Sequence, residues 1–288
     1  MTRVREKGNE MTCNAVSLGE MTPSSVTVLV PTHHKSDEEI LALCAFLCIE
    51  TDAVFSVQRE EVSKRVLDYK GHMITIASSD DIGVSKNRNH LLDLAPDGLC
   101  LCVDDDCVLE PGYEKTVLSF FTEHNCDVAL FNGLVPYEGN RKVHDKPTAR
   151  VRHFKDVSYA GGPGLAYYGS KIRSLGIRYD ERLGYPNEIY AGEDSLFLKG
   201  LAKSPLCFYR SSDVLFTVAI DKEDNSAYFK GFDDRFFLTK GAGGYLLYPR
   251  LSFLYLLHQV RRLHKQTGKP RGYIYKLLKQ GRSMAKKL

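Results

Sequence analysis

The sequence lacks the features that mark several large classes of protein. No run approaches the roughly 18 consecutive apolar residues that a membrane-spanning helix needs. The opening MTRVREKGNE has no apolar core followed by a small-residue cleavage site, so a secretory signal is not expected and a cytoplasmic location is. The eight cysteines form no C-x-x-C pair and no tight Cys/His spacing of the zinc kind. Most fall in apolar runs and are expected as buried free thiols of a reducing compartment. There is no P-loop, no G-x-G-x-x-G fingerprint, no Ser/His/Asp nucleophile pattern and no internal repeat or low-complexity segment. What remains, with 43% hydrophobic and 26% charged residues over 288 positions, is an ordinary globular chain. It is long enough for one large domain or two small ones.

Acidic residues are also missing from the entire stretch beyond Asp234. The 13 Lys and Arg of that stretch leave 26 basic against 36 acidic residues before it, so a net charge of +3 hides an acidic body and a basic tail. Such asymmetry predicts an anionic partner, a membrane surface or a nucleic acid. No nucleic-acid-binding module accompanies the charge, which favours the membrane.

Residues 1–24 are polar and aperiodic, and read as a flexible lead. From there strands and helices alternate. Val26–Val30, Ala53–Val57, His72–Ala77, Leu99–Val103 and Asp127–Phe131 are short β-branched or apolar runs that predict strands. Between them, Ser36–Ile49 opens with a capping box (Ser36, Glu39), and Glu60–Tyr69, Ser85–Leu94 and Pro111–His124 read as helices. This order predicts an α/β fold with a doubly wound, mostly parallel sheet, whose ligands gather at the carboxyl ends of the strands. Asn132–Ser158 reads as a long loop with some strand, Leu165–Tyr168 as a strand entered through Gly161-Gly162-Pro163-Gly164, Gly192–Lys203 as a helix and Asp213–Ile220 as a strand. Beyond Ser226 the chain turns helical and aromatic. Leu246–Leu263 is apolar on most faces, interrupted by Pro249, Arg250 and His258. A basic amphipathic helix follows, with Tyr273, Ile274, Leu277 and Leu278 at helical spacing. His33 and His34 are expected to satisfy local hydrogen bonds, and His258 to sit in a core or an interface.

Asp104-Asp105-Asp106 directly follow the fourth strand. On a continuing strand Asp104 and Asp106 would project to one side and Asp105 to the other. Two unit charges about 4 Å apart repel by roughly 4 kcal/mol at an effective dielectric near 20, so three ionised carboxylates at a sheet edge want a cation. Mg²⁺ or Mn²⁺, held by one or two carboxylates plus phosphate oxygens, fits that demand; an acidic turn capping the next helix fits the residues as well. Gly192-Glu193-Asp194 opens a helix, where acids suit the positive end of the dipole.

VTVLVPTHH (26–34), GVSKNRNHLLDLA (83–95), CLCVDDDCVL (100–109) and GEDSLFL (192–198) occur in the order seen in family 2 glycosyltransferases, and the chain resembles the bacterial surface-polysaccharide members of that family. The likeness covers about residues 25–240 and extends to SAYFKGFDDRFFLTKGA (226–242). It implies an A-type nucleotide-sugar-binding fold, with residues 25–131 as the donor half, 132–240 as the acceptor half and 241–288 as a basic helical tail. By the same likeness the donor is a nucleotide sugar, UDP-linked by default. Asp106 and Asp104 ligate Mn²⁺ or Mg²⁺, and Pro31, Thr32, Lys86, Arg88, Asp104 and Asp105 border the donor. Gln58 stands where many members carry the Asp that pairs with uracil. Asp194 is the general base of an inverting displacement and Glu193 its acceptor-binding neighbour. The acceptor is a saccharide or a lipid-linked saccharide of capsule, lipopolysaccharide or exopolysaccharide. The tail then lies on an anionic cytoplasmic leaflet, or packs on the domain or a second subunit. Two competing readings are a sugar-phosphate nucleotidyltransferase, whose glycine-rich basic loop is missing from PTHHKSDEE, and a non-catalytic saccharide-binding scaffold of the same fold.

Overall fold

The computed structural model describes residues 24–136, 141–219 and 231–288. The lead 1–24, apart from Ser24, and positions 226–230 of the run 226–242 lie outside the described residues, as do Cys13 and Ile220. In chain order the strands are β1 (Val26–His33), β2 (Ala53–Gln58), β3 (Ser63–Tyr69), β4 (His72–Ser79), β5 (Leu99–Cys102), β6 (Cys107–Leu109), β7 (Val128–Val135), β8 (Arg141–Lys142), β9 (Ala149–Arg150), β10 (Leu165–Tyr168) and β11 (Phe208–Val218). The helices are α1 (Asp37–Phe46), α2 (Val84–Leu94), α3 (Tyr113–His124), α4 (Gly169–Ser174), α5 (Glu193–Lys203), α6 (Asp234–Leu247), α7 (Ser252–Thr267) and α8 (Arg271–Ala285).

The strands form one sheet in the order β3-β4-β2-β1-β5-β10-β7-β11-β6, with β8 on β7 and β9 on β11. The run β4-β2-β1-β5 is parallel throughout, as is β7–β11, while β10 runs antiparallel between β5 and β7. Alternation along the strands sorts the core into two layers. Val28, Val30, Phe55 and Leu101 pack with Ile40 and Cys44 of α1 and with Tyr113, Val117 and Phe121 of α3 on one face. Leu29, Val54, Cys100 and Leu130 pack with Leu91 of α2 and with Phe197, Leu198 and Leu201 of α5 on the other. This is the doubly wound arrangement expected, with a C-terminal helical extension. The Ser36–Glu39 capping box is present at α1.

Glu60–Tyr69, expected as a helix, instead supplies the edge strand β3. From Lys64 its burial, not its polarity, alternates with period two: Arg65, Leu67 and Tyr69 are half-buried between exposed Lys64, Val66 and Asp68. Lys70 (φ +55°) and Gly71 (φ +86°) make the two-residue hairpin turn that pairs β3 antiparallel with β4. Strand β6 was not expected. It is three residues long, and it closes the opposite edge by pairing with β11. The apolar stretch 246–263 is not one helix, because Pro249 can neither continue the backbone ladder nor leave Tyr248 helical; Tyr248 sits at φ −136°, ψ 63° and separates α6 from α7. Cys48 and His258, expected inside, are exposed.

α6, α7 and α8 share a core of Phe237, Leu256, Val260, Leu263, Ile274 and Leu278, and α6 runs through the expected boundary at 241. α6 and α8 cross at glycines: a Cβ on Gly241 would lie 2.1 Å from the Leu278 carbonyl oxygen, and one on Gly281 1.9 Å from that of Leu238. The bundle is fastened to the α/β body where Ala242 and Ala285 meet Leu183 and Ile189, and where Lys199 donates to the carbonyls of Leu246 and Leu247.

Candidate active site

Because β1, β2, β4 and β5 are parallel, their carboxyl ends share one rim, and Thr32, Gln58 and the three aspartates fall on it. The antiparallel β10 brings its start, not its end, to the same rim. Its entry loop is anchored where the Gly164 amide donates to the Cys102 carbonyl at 2.9 Å. The loop then passes so close to the helices that a Cβ on Gly162 would lie 3.1 Å from Asp194 Oδ1 and 3.2 Å from Arg88 Nη2. A glycine there permits the approach.

Helix α2 starts at this rim from Gly83 (φ +142°), whose amide donates to Gln58 Oε1 at 2.9 Å. Three consecutive polar residues of its first turns, Asn87, Arg88 and Asn89, are buried. Asn87 Nδ2 donates to the Thr32 carbonyl at 3.0 Å, tying the helix to the end of β1. Asn89 Nδ2 donates to the Tyr179 carbonyl and its Oδ1 accepts from the Tyr179 amide, tying the helix to the segment before α5. Stacking of Tyr179 on Phe197, centroids 4.1 Å apart, then fixes the start of α5.

Arg88, held between those two asparagines, joins the two acidic motifs. Its Nη1 donates to Asp194 Oδ1 at 2.6 Å and to Glu193 Oε1 at 3.4 Å, and its Nη2 to Asp104 Oδ1 at 3.2 Å. The guanidinium also lies 5.6 Å from the Tyr179 ring centroid. Asp104, Asp105 and Asp106 do not continue β5. They form a turn into β6, closed by the Cys107 amide on the Asp104 carbonyl at 3.1 Å, so strand alternation does not govern them. Asp104 meets Arg88, Asp105 Oδ2 accepts from Thr32 Oγ1 at 2.6 Å, and Asp106 Oδ1 accepts from the Cys107 thiol at 3.1 Å.

Three carboxylates, Asp104, Glu193 and Asp194, thus meet one guanidinium, with Asp105 and Asp106 in the same turn as Asp104. Desolvation, reinforced by Glu193 and Asp104, raises the Asp194 carboxyl to about 7 in spite of Arg88. Desolvation, with Asp104 and Asp105 beside it, also raises that of Asp106. Among the described residues no group of three or more His, Cys, Asp or Glu side chains converges on a metal position. Asp104 and Asp106 are the carboxylates of the turn that could offer hard oxygen donors to a Mg²⁺-like ion, with phosphate and water completing its shell.

Pro31, Arg88, Asp104, Gly162 and Tyr179 line one small cleft. Asp194, 19% exposed, opens toward solvent, whereas Glu193, at 1%, is sealed behind Arg88. Gln58 spends its carbonyl on Gly83, and Lys86 is exposed and paired with Asp81 at 3.0 Å, so neither meets the carboxylates. His34, as expected, bonds locally, to Glu60. Sequence reasoning missed Asn87 and Tyr179. The signal available was the unbroken polar triplet on a helix start, which a solvated helix face does not need.

No protein-family model matches the sequence, and no curated protein matches it. Solved structures do. TarS of S. aureus, residues 1–349 in complex with UDP-GlcNAc, superimposes with a TM-score of 0.55 at 19% identity, covering 77% of this chain and 66% of that one. The same TarS segment alone gives a TM-score of 0.55 at 17% identity, over 90% of this chain and 91% of that one, and its complex with UDP gives 0.53 at 18%, over 86% and 73%. Against the longer TarS structure the chain spans 39% of the length. At these identities the likeness establishes a shared fold.

Proposed function

We propose that the protein is an inverting glycosyltransferase that moves a sugar from a nucleotide sugar, UDP-linked by default, to a saccharide or lipid-linked acceptor of a bacterial surface polysaccharide. The observation that carries this reading is Arg88. One buried guanidinium ties the aspartate turn after β5 to the acidic start of α5, at the rim where parallel strands end. The motif order of family 2 glycosyltransferases supports it, and so does the fold shared with TarS, which has been solved with UDP-GlcNAc and with UDP.

In this reading Asp106 and Asp104 would hold a divalent cation beside the donor diphosphate, and a cation bound there would supply positive charge against that developing on the leaving phosphate. Asp194 Oδ1 is occupied by Arg88, which leaves Oδ2 to take the proton of the acceptor hydroxyl. The acceptor oxygen then bonds to the anomeric carbon as the bond to the nucleoside diphosphate breaks, inverting the centre in one step. Arg88 fixes the orientation of the base, and Glu193 balances Arg88 from the buried side. Thr32, bonded to Asp105, keeps the end of β1 against the turn.

The test is turnover of a panel of UDP-sugars with Mn²⁺, with and without chelator, in wild type and Asp194→Asn. The expected result is metal-dependent release of UDP, reduced by a factor of about 10²–10⁴ in Asp194→Asn with UDP binding retained. Full turnover by Asp194→Asn would sink the assignment of the base.

A further inference from the structure

The basic tail carries an apolar surface that the chemistry above does not use. α7 turns Leu256, Gln259, Val260 and Leu263 inward to the helical bundle. Its opposite side bears Phe253 (52% exposed), Leu254 (61%) and Leu257 (41%), with Leu251 (58%) just before the helix. Leu254, Leu257, Arg261 and Lys265 are spaced i, i+3, i+7 and i+11 and so form one stripe along the helix. That stripe is apolar over its first turns and basic over its last, with exposed His258 and Arg262 beside it. On the neighbouring α8, Lys276, Lys279, Lys286 and Lys287 are exposed. Clustered exposed apolar side chains of this size mark a surface that something covers. Every charge beyond Asp234 is positive, so whatever covers it is anionic.

We infer that this face of α7 docks on an anionic lipid bilayer. Leu251, Phe253, Leu254 and Leu257 enter the headgroup–acyl boundary, while Arg261, Arg262, Lys265 and the lysines of α8 engage lipid phosphates. No described helix is long and apolar enough to cross a membrane, and none is needed for this mode. The inference rests on the tail alone, so it and the transferase reading can fail separately.

Co-sedimentation of the full chain with vesicles of equal parts phosphatidylglycerol and phosphatidylcholine, against phosphatidylcholine alone, tests it. The expected result is binding to the anionic vesicles only. Leu254→Glu with Leu257→Glu should weaken it at least tenfold, and Arg261→Glu with Lys265→Glu by roughly fivefold or more per charge. Val66→Glu, which alters an equally exposed apolar residue on the distant strand β3, should bind as wild type. Equal binding to neutral vesicles, no binding at all, or full binding by the double leucine variant would overturn the inference. So would sedimentation velocity showing a wild-type dimer that the leucine variant converts to monomer without any vesicle binding, since the face would then belong to a second copy. If the leucine variant fails to fold, the charge-reversed pair decides: retained binding refutes the docking face.

Discussion

Asp194 shows how a residue acquires chemistry from its neighbours. As the first-turn acid of a helix it would be an ordinary dipole partner, and only the order of motifs in which GEDSLFL stands marks it for more. Burial beside Glu193 and Asp104 lifts its carboxyl to about 7, while Arg88 opposes the rise. The fold therefore favours the protonated form, a contribution to stability present at low pH and lost as pH climbs through about 7. Catalysis needs the ionised form, so kcat/KM should fall on the acid side of about pH 7. Arg88→Met should move that limb upward. It should also lower stability by about 3–5 kcal/mol at about pH 8, and by less at about pH 6, where the stranded carboxylates take protons; urea titrations at the two pH values measure the gap. A limb that stays put would remove Asp194 from the proton transfer. The aspartates, Arg88 and Asp194 were all legible as chemistry-bearing residues. Their partnership was not, because residues 88, 104 and 194 are joined only by a loop, a turn and a helix start converging at one rim.

At the scale of elements, apolar periodicity gave most of the parallel core correctly, because buried strands and amphipathic helices differ in period. It failed where local pattern is shared or short. Glu60–Tyr69 has the charge content of a surface helix, and only the hairpin turn at Lys70-Gly71 distinguishes it as a strand. Cys107–Leu109 is too short to show any period. Glycines in the tail carried no readable signal either, yet Gly241 and Gly281 set how closely α6 and α8 approach. Gly281→Val should destabilise the chain by about 1–3 kcal/mol, because the added carbons meet backbone and not a movable side chain. Gly243→Ala, in α6 with open space around it, should instead be neutral or stabilise by up to about 1 kcal/mol. Denaturant midpoints of the two variants provide the comparison, and an unchanged midpoint for Gly281→Val would mean that the helices can part without loss.

For the molecule as a whole, the acidic rim and the basic bundle are separate features on one chain. A donor bound only by the native state should raise its melting temperature. At a hundredfold excess over Kd the gain is about 2.7 kcal/mol, or roughly 5 to 10 °C. UDP with Mn²⁺ is expected to produce that shift, and either component alone much less. Asp106→Asn is expected to abolish the dependence on Mn²⁺, and a metal-independent shift would rule the aspartate turn out as a cation holder. The sheet has a consequence for behaviour in concentrated solution. One end is β3, carrying Lys64, Arg65 and Asp68, and the other is the three-residue β6. Neither margin offers a long uncharged ladder onto which a stranger's backbone could zip, so the molecule resists fibril-like polymerisation however tightly it is crowded.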